Sequence, residues 1–350
     1  MDQRVRFLKF AVAVGSVAVA LVAVEFLLLR GVLGLHGIED ADVYAYDPQL
    51  GWALRPNVEA RSSSLEFAYT ISTDRLGLRS AARRRGDGPG DVWQASAHRI
   101  LLVGDSFAFG WGVSGDAMLS SRLERAPGST GGGAAVLTAG VPGYSTDQEY
   151  LSWKRLDAQL DPAVVIVLMG NNDPPADNAS TVRMGNASYS KPRFRVGEGG
   201  TLALEGTPVP DKQLVVTPTP LEPIKARART LASYALAKRF RDARQFSAAA
   251  AAPPPRFDAA ALETTAAILA AFNRDAQAHG AALLVVLIPG PTLSAPLAAI
   301  CRDAGIAFLD LTPRFAGHDD LTFKYDGHWN ALGHQTAADA IVPALTAMPK

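Results

Sequence analysis

The sequence has very little cysteine and no excess of charge, and both shortages narrow the classes of function. Its 350 residues include one cysteine, Cys301, which excludes an internal disulfide and a zinc site built from several cysteines. The 34 basic and 34 acidic residues balance, so there is no electrostatic case for nucleic acid as a partner. A glycine cluster at 128–133 lacks the Gly-Lys-Ser/Thr of a phosphate-binding loop. We therefore expect neither a metal nor a cofactor.

An apolar run near the N-terminus is long enough to cross a membrane. It extends from Phe10 to Leu29, and about 20 such residues span a bilayer as a helix. No Ala-x-Ala cleavage site follows the run, which favours an uncleaved anchor over the alternative of a signal peptide. The positive-inside rule puts the N-terminus in the cytoplasm and the remainder outside it, as expected for a single-pass membrane protein. The basic residues that decide this orientation are Arg4, Arg6 and Lys9 before the run, against Arg30 after it.

Five further apolar runs have the length and the β-branched content of buried strands. They are Ile100–Val103, Ala134–Thr138, Ala163–Met169, Ala281–Ile288 and Ala307–Leu311. Helical patterns separate them, and this alternation predicts a parallel α/β sheet with right-handed crossovers. The predicted organisation is a cytoplasmic segment 1–9, a transmembrane anchor 10–30, a lead-in 31–97 and a main domain 98–350 that contains an insertion at 174–256.

The lead-in and the insertion contain patterns of their own. In the lead-in, Phe67–Thr73 alternates like a strand, and Ala82–Asp91 has the Arg and Gly content of an exposed loop. In the insertion, Phe194–Leu204 is typical of a small hairpin. Ile224–Arg244 is predicted to be a basic helix with a solvated face, and the alternative is a helix that meets lipid headgroups or an anionic glycan. Ser247–Pro255 is rich in alanine and proline and is predicted to be a linker.

Three of the predicted strands end in short polar loops that contain glycine. These loops are Gly104-Asp105-Ser106, Gly140-Val141-Pro142-Gly143 and Gly170-Asn171-Asn172-Asp173. Because the carboxyl ends of parallel strands meet at one edge of a sheet, we expect the loops to lie together. Near the C-terminus, Asn330 suits the N-cap of a helix that begins at Ala331. His328 would then lie in the loop that leads into this helix.

These residues supply each part that acyl transfer needs: a nucleophile, a base, a group that orients the base, and donors for the developing oxyanion. Ser106 is the candidate nucleophile, His328 the base that takes its proton, and Asp326 the acid that orients the imidazole. The candidate oxyanion donors are the backbone N–H groups of Ser106 and Gly143 and the side-chain amide of Asn172. Asn171 competes with Asn172 for this role.

The order of these motifs resembles the SGNH/GDSL hydrolase superfamily. Gly104-Asp105-Ser106-Phe107 is similar to its first block, Gly143 lies where the second-block glycine falls, Gly170-Asn171-Asn172-Asp173 resembles Gly-x-Asn-Asp, and His328 matches the last-block histidine. The resemblance covers about residues 98–349. It implies a three-layer α/β/α sandwich with a central parallel sheet, a flavodoxin-like arrangement, and it favours Asn172 over Asn171.

The last block departs from the commonest pattern of the superfamily. That pattern is Asp-x-x-His, whereas Asp326 stands two residues before His328. This Asp-x-His spacing resembles the membrane-associated, alginate-acetylating branch, and it leaves Asp319 and Asp320 as alternative orienting acids. The Leu50-Gly51-Trp52 and Gly77-Leu78-Arg79 segments of the lead-in are similar to those of a bacterial group with a single anchor.

Three functions remain open at the level of the sequence. The first is a membrane-anchored serine esterase that removes short acyl groups, often acetyl, from an extracytoplasmic glycan or acts on a small ester. The second is an O-acyltransferase that uses the same residues, with the insertion at 174–256 as a lid that excludes water. The third is a non-enzymatic glycan-binding or scaffolding protein in a polysaccharide synthesis or export complex. An intact set of serine, histidine and asparagine argues against the third.

Overall fold

The structure is a computed structural model that describes residues 3–39, 41–81, 91–126, 134–184, 187–211, 221–240 and 257–348. Four predicted features lie wholly or mainly outside these ranges. They are the loop at 82–91, the glycine cluster at 128–133, the end of the basic helix at 241–244 and the linker at 247–255.

The described residues form fourteen strands and twelve helices. The strands are β1 Tyr44–Asp47, β2 Gly51–Leu54, β3 Glu59–Ser63, β4 Ala68–Thr73, β5 Arg79–Ser80, β6 Arg99–Gly104, β7 Ala135–Gly140, β8 Val164–Met169, β9 Thr181–Met184, β10 Ala187–Ser190, β11 Arg193–Val196, β12 Leu202–Glu205, β13 Ala282–Leu287 and β14 Ala307–Asp310. The helices are α1 Gln3–Ala23, α2 Asp91–Ala95, α3 Ser106–Phe109, α4 Leu119–Arg125, α5 Thr146–Leu160, α6 Asp173–Asp177, α7 Glu222–Arg229, α8 232–240, α9 Ala259–Ala278, α10 Pro291–Asp303, α11 Thr312–Phe315 and α12 Ala331–Ala347.

One eight-stranded sheet has the order β14-β13-β8-β6-β7-β5-β4-β3. The five strands from β14 to β7 are parallel, which confirms the α/β fold with a mostly parallel sheet. The sheet is not parallel throughout, although the sequence predicts a parallel one. The lead-in strand β5 pairs antiparallel with β7 through Arg79 and Thr138. A short antiparallel extension is possible here because β5 and β4 are joined by a tight turn rather than by a crossover helix.

Alternate residues of β6 pack into two separate hydrophobic cores. Leu101 and Val103 face a core that includes residues of α5, α9 and α10, whereas Ile100 and Leu102 face a core that includes residues of α4 and α12. All four side chains are fully buried, as expected for a parallel strand covered on both faces. The sheet is therefore the middle of three layers. Cys301 in α10 is also buried, and burial raises the pKa of its thiol to about 12.

Contacts divide the chain into two compact units, which are described separately. The first comprises residues 1–40, 61–69 and 218–253, and the second comprises 41–60, 70–217 and 254–350. This division does not follow the predicted boundaries at 30, 97, 174 and 256. The lead-in and the insertion each contribute residues to both units.

In the first unit, α1 continues as a π-helical segment, Val24–Val32, and the whole helix Gln3–Val32 is long and apolar enough to cross a membrane. The basic helix predicted at 224–244 is broken into α7 and α8 at residues 230–231. The break has a physical cause in Glu25, whose carboxylate oxygens accept the N–H groups of Ala232 (2.7 Å) and Ser233 (2.9 Å) at the start of α8. These are N–H groups that a new helix leaves without an intrahelical partner.

Candidate active site

The candidate nucleophile lies where β6 ends and α3 begins. Asp105 is the N-cap of α3, and its Oδ1 accepts the N–H of Phe107 at 2.9 Å. A Cβ at Gly140 of the neighbouring β7 would collide with the backbone N of Phe109. Glycine at this position therefore lets α3 lie directly against the end of the sheet, which holds Ser106 at its carboxyl edge.

Ser106, His328 and Asp326 form a continuous hydrogen-bonded chain. His328 Nε2 is 2.7 Å from Ser106 Oγ, and His328 Nδ1 is 2.5 Å from Asp326 Oδ1. The same carboxylate oxygen accepts the backbone N–H of His328 at 3.3 Å. Asp326 is thus the carboxylate that contacts the imidazole, whereas the Asp320 carboxylate lies 3.7 Å from the ring of His318. The structure brings the sequence-predicted residues together across more than two hundred positions of the chain.

The loop that carries His328 is fixed at its C-terminal end. Asn330 caps α12 as the sequence predicted, since its Oδ1 accepts the N–H groups of Leu332 (2.9 Å) and Gly333 (3.1 Å). Two aromatic rings flank the imidazole: the centroid of Phe107 lies 4.9 Å away and that of Trp111 5.9 Å away. These contacts limit the rotation of the imidazole, so it is held in the orientation that faces Ser106.

Gly143 lies in a loop that leaves the sheet beside the nucleophile. The N–H of Val141 donates to the carbonyl of Gly104 at 3.0 Å. Gly143 itself has φ +84°, a conformation that costs other residues about 1–2 kcal/mol. A side chain at this position would therefore strain the loop that presents its N–H group.

The lead-in holds this glycine loop through Trp52. Trp52 Nε1 donates to the carbonyl of Pro142 at 3.1 Å, and Tyr144 OH donates to the carbonyl of Trp52 at 2.6 Å. The two rings are also in edge contact, with centroids 5.6 Å apart, and both side chains are almost fully buried. The sequence drew attention to Leu50-Gly51-Trp52 only as a resemblance. Its contribution to the site depends on a tertiary contact.

The two asparagines of the third loop point in different directions. Asn172 is exposed, and its Nδ2 lies 3.5 Å from Oδ2 of Asp105, next to Ser106. The side chain of Asn171 instead lies against Gly290, where a Cβ would come within 2.5 Å of its Oδ1. Of the two asparagines, Asn172 is therefore the one whose amide contacts the residue that precedes Ser106.

Arg79 holds the segment that follows Ser106, and the sequence indicated no function for it. It is 2% exposed, and its guanidinium donates to the carbonyls of Phe109 (2.6 Å), Gly110 (2.5 Å) and Val113 (2.7 Å). Carbonyls at the C-terminal end of a helix lack intrahelical partners and favour a cation. Arg79 supplies that cation at the end of α3.

Buried carboxyls lie behind the site. Asp173 braces its own loop by accepting the N–H of Gly170 at 2.6 Å. Burial and the charge of neighbouring carboxylates raise the pKa values of Glu149 and Asp173 well above their usual range, and raise that of Asp177 to about 7. Asp147 pairs with the buried ammonium of Lys191. Sequence reasoning missed Glu149 because a helical pattern does not show which of its polar residues face inward.

A second histidine, His334, lies six residues after His328 in α12. It is 1% exposed, and burial lowers the pKa of its imidazole to about 3. Its ring makes an edge contact with Trp329, with centroids 5.6 Å apart. It is therefore an uncharged packing residue at neutral pH.

Comparison with known proteins identifies the family. A sequence model described as the GDSL-like Lipase/Acylhydrolase family matches residues 102–336, a segment that contains the whole Ser106–His328–Asp326 chain. The protein belongs to the GDSL-like lipase/acylhydrolase family. It is therefore a hydrolase of the esterase class, with an α/β fold whose central sheet is mostly parallel.

Solved structures are similar to this GDSL-like protein at low sequence identity. One is described as TesA, with 15% identity, 71% of this chain and 98% of that chain covered, and a TM-score of 0.41. Another is the psychrotrophic esterase EstA from Pseudoalteromonas sp., inhibited by monoethylphosphonate, with 12% identity, coverages of 71% and 96%, and a TM-score of 0.41. A third is the lipase/acylhydrolase from Enterococcus faecalis, with 14% identity, coverages of 72% and 98%, and a TM-score of 0.39. No curated protein sequence matches the chain.

Proposed function

We propose that this GDSL-like protein is a membrane-anchored serine esterase that cleaves short acyl esters, chiefly acetyl, from an extracytoplasmic glycan. The observation that supports this most directly is the hydrogen-bonded chain from Ser106 Oγ through His328 to Asp326. A serine is a weak nucleophile until an adjacent base takes its proton, and the base acts only when a third group holds its tautomer.

The reaction would proceed through an acyl-enzyme. Ser106 Oγ attacks the ester carbonyl while His328 Nε2 takes the hydroxyl proton, and the resulting imidazolium returns that proton to the departing sugar oxygen. A water molecule, deprotonated by His328, then attacks the acyl-enzyme and releases the carboxylic acid and the free serine. The negative charge on the carbonyl oxygen would be met by the N–H groups of Ser106 and Gly143 and by the amide of Asn172.

The aromatic residues around His328 support the assignment of a short acyl group on a sugar. Phe107 and Trp111 flank the imidazole, and bulky rings beside the reacting atoms favour a small acyl group. Tyr325, next to Asp326, is 43% exposed, and the ammonium of Lys324 lies over its ring, 5.4 Å from the centroid. A partly exposed aromatic ring with a cation beside it offers an apolar surface together with hydrogen-bond donors, a combination that suits a sugar.

The helix Gln3–Val32 supports the proposed anchoring. It has the length and apolarity of a membrane span, and the basic residues before it favour an orientation with the N-terminus in the cytoplasm and Ser106 outside. A substrate on the far side of the inner membrane would then be an envelope or exported polysaccharide.

Hydrolysis of chromogenic acyl esters by the full chain in detergent tests this function. We expect acetyl esters to be cleaved faster than longer esters, acetate to be released from an acetylated polysaccharide, and both activities to disappear in Ser106→Ala. A fluorophosphonate probe should label Ser106 in the wild-type protein, as shown by peptide mapping. Equal rates for wild type and Ser106→Ala would refute the proposal. If an added glycan becomes acylated faster than free acid appears, the protein is an O-acyltransferase instead.

A further inference from the structure

The helix pair α7–α8 in the first unit combines basic and exposed apolar side chains. The two helices, residues 222–240, contain five basic residues and one acidic residue, Glu222 at the start of α7. On the same two helices and the residues next to them, large apolar side chains are exposed: Leu221 (57%), Ile224 (67%), Leu231 (37%) and Phe240 (68%). A helix pair that meets only water would gain nothing from these exposed side chains. Basic and apolar residues together are typical of helices that lie in a membrane interface.

The contacts of Glu25 join this helix pair to the C-terminal end of the long apolar helix. Glu25 accepts the N–H groups of Ala232 and Ser233, as described above, and it also accepts from Arg30 Nε at 3.0 Å. Arg30 donates in addition to the carbonyl of Thr230. The turn between α7 and α8 is therefore bonded directly to the last two turns of the long apolar helix.

A second contact holds the C-terminal end of α7 next to the residues that follow the long apolar helix. The N–H of Ile38 donates to the carbonyl of Arg229 at 2.7 Å. The apolar run begins at Phe10, and at 1.5 Å per residue Arg30 lies about 30 Å further along, which is the thickness of the hydrocarbon core. With the apolar run spanning the membrane as proposed, the turn that joins α7 to α8 would lie where the hydrocarbon meets the headgroups.

We propose that α7–α8 is a membrane-surface element that lies in the outer headgroup layer and binds anionic phospholipid. This inference rests on the proposed membrane anchoring and goes beyond it, because an anchor alone needs no second contact with lipid. The exposed apolar side chains enter the upper part of the hydrocarbon. The basic side chains extend toward lipid phosphates, as Lys and Arg do when their stems are buried in an interface.

A polarity-sensitive fluorophore on a single added cysteine can measure this placement. The native Cys301 is buried, so an added surface cysteine is the group that reacts. The full chain, reconstituted in vesicles, would carry the label at Ile224→Cys or Phe240→Cys. Leu204→Cys in the second unit is the matched control, because Leu204 is also an exposed apolar residue (42%). Val17→Cys, in the middle of the apolar run, reports whether the anchor itself is in the bilayer.

We expect the labels at 224 and 240 to show blue-shifted and stronger emission than the label at 204, with Val17→Cys the most blue-shifted. Water-like emission at 224 and 240 together with a hydrocarbon signal at 17 would overturn the proposal and leave the anchor intact. Water-like emission at 17 would overturn the anchor, and this proposal with it.

Lipid composition tests the charge requirement. Adding phosphatidylglycerol to phosphatidylcholine vesicles should increase the shift at 224 and 240, and high salt should reverse that increase. The triple variant Lys225→Gln, Arg227→Gln, Arg229→Gln should lose the increase and keep the signal at 17. If phosphatidylglycerol has no effect, or if only an anionic polysaccharide added to neutral vesicles shifts the labels, the assignment to anionic phospholipid is wrong.

Discussion

Replacing Asn172 by alanine is the sharpest test of how the site stabilises the transition state. The side chain is exposed, and the hydrogen bond from its Nδ2 to Asp105 is long at 3.5 Å, so its removal should change the free energy of unfolding by no more than about 0.5 kcal/mol. An oxyanion donor contributes much more, about 2.7–4 kcal/mol of transition-state stabilisation. We therefore expect kcat for a chromogenic acetyl ester to fall by about 10²–10³-fold.

The loss should appear in kcat rather than in KM, because the amide would bind the charge that develops on the carbonyl oxygen and not the uncharged ester. Asn171→Ala is the matched control, since it makes the same change one residue away on a side chain that lies against Gly290. We expect it to lower kcat by less than about tenfold, or about 1.4 kcal/mol. If Asn172→Ala stays within that limit, or if Asn171→Ala loses as much activity, the assignment of the oxyanion donor is wrong.

Three further predictions concern residues that orient the site or lie behind it. Trp52→Phe keeps an aromatic ring but removes the hydrogen bond to the loop that contains Gly143. We therefore expect kcat to fall by about tenfold with little change in KM. An unchanged kcat would show that this hydrogen bond does not position the loop for catalysis. Asp326→Asn should lower kcat by about 10²–10³-fold, which is less than the roughly 10⁴-fold loss in a buried triad. The smaller loss is expected because about a quarter of the side chain of Asp326 (24%) and of His328 (25%) is exposed to solvent. Measuring kcat of both proteins as a function of pH would show the size of the loss. Burial raises the pKa of Glu149 well above its ordinary 4.5, so its stabilising contribution is complete below pH 4.5 and is lost as the pH rises through the higher value. Glu149→Gln should therefore flatten the decline of the melting temperature with increasing pH and be more stable than wild type at pH 8, whereas exposed Glu263→Gln should follow the wild-type curve.

The elements that the sequence predicted well depend on local patterns. Each of the five parallel strands was expected from an apolar run, and each begins and ends within a residue or two of the expected position. Asn330 was predicted as an N-cap from residue type and position alone, because a cap is satisfied by backbone N–H groups two and three residues away. The gathering of the three strand-end loops was also accessible, since it follows from the shared edge of a parallel sheet. The pairing of Ser106 with His328 was instead a hypothesis from the needs of acyl transfer and from the family resemblance.

The features that the sequence did not predict depend on contacts between distant segments. Nothing local to α7–α8 requires a break at residues 230–231, because the carboxylate that satisfies the new N–H groups belongs to Glu25, more than two hundred positions earlier. The burial of Glu149 was missed for the same reason. The helical pattern around it is not unusual, and its burial depends on the elements that pack against α5. The sequence did not predict that β3–β5 extend the main sheet. In the described part of the chain they join the parallel strands through one residue pair between β5 and β7, and a contact of this kind leaves no local pattern.

Two residues of the lead-in, Trp52 and Arg79, support the backbone around the candidate active site. Trp52 bonds to the loop of Gly143, and Arg79 bonds to carbonyls just after Ser106. The two residues thus hold the segments on either side of the space where an oxyanion would form. Donors stabilise that charge only if they are already in place when it develops, because reorganisation during the reaction would consume the gain. The α/β sandwich brings Ser106, His328 and Asp326 together, and the lead-in supplies side chains that keep the surrounding backbone in position.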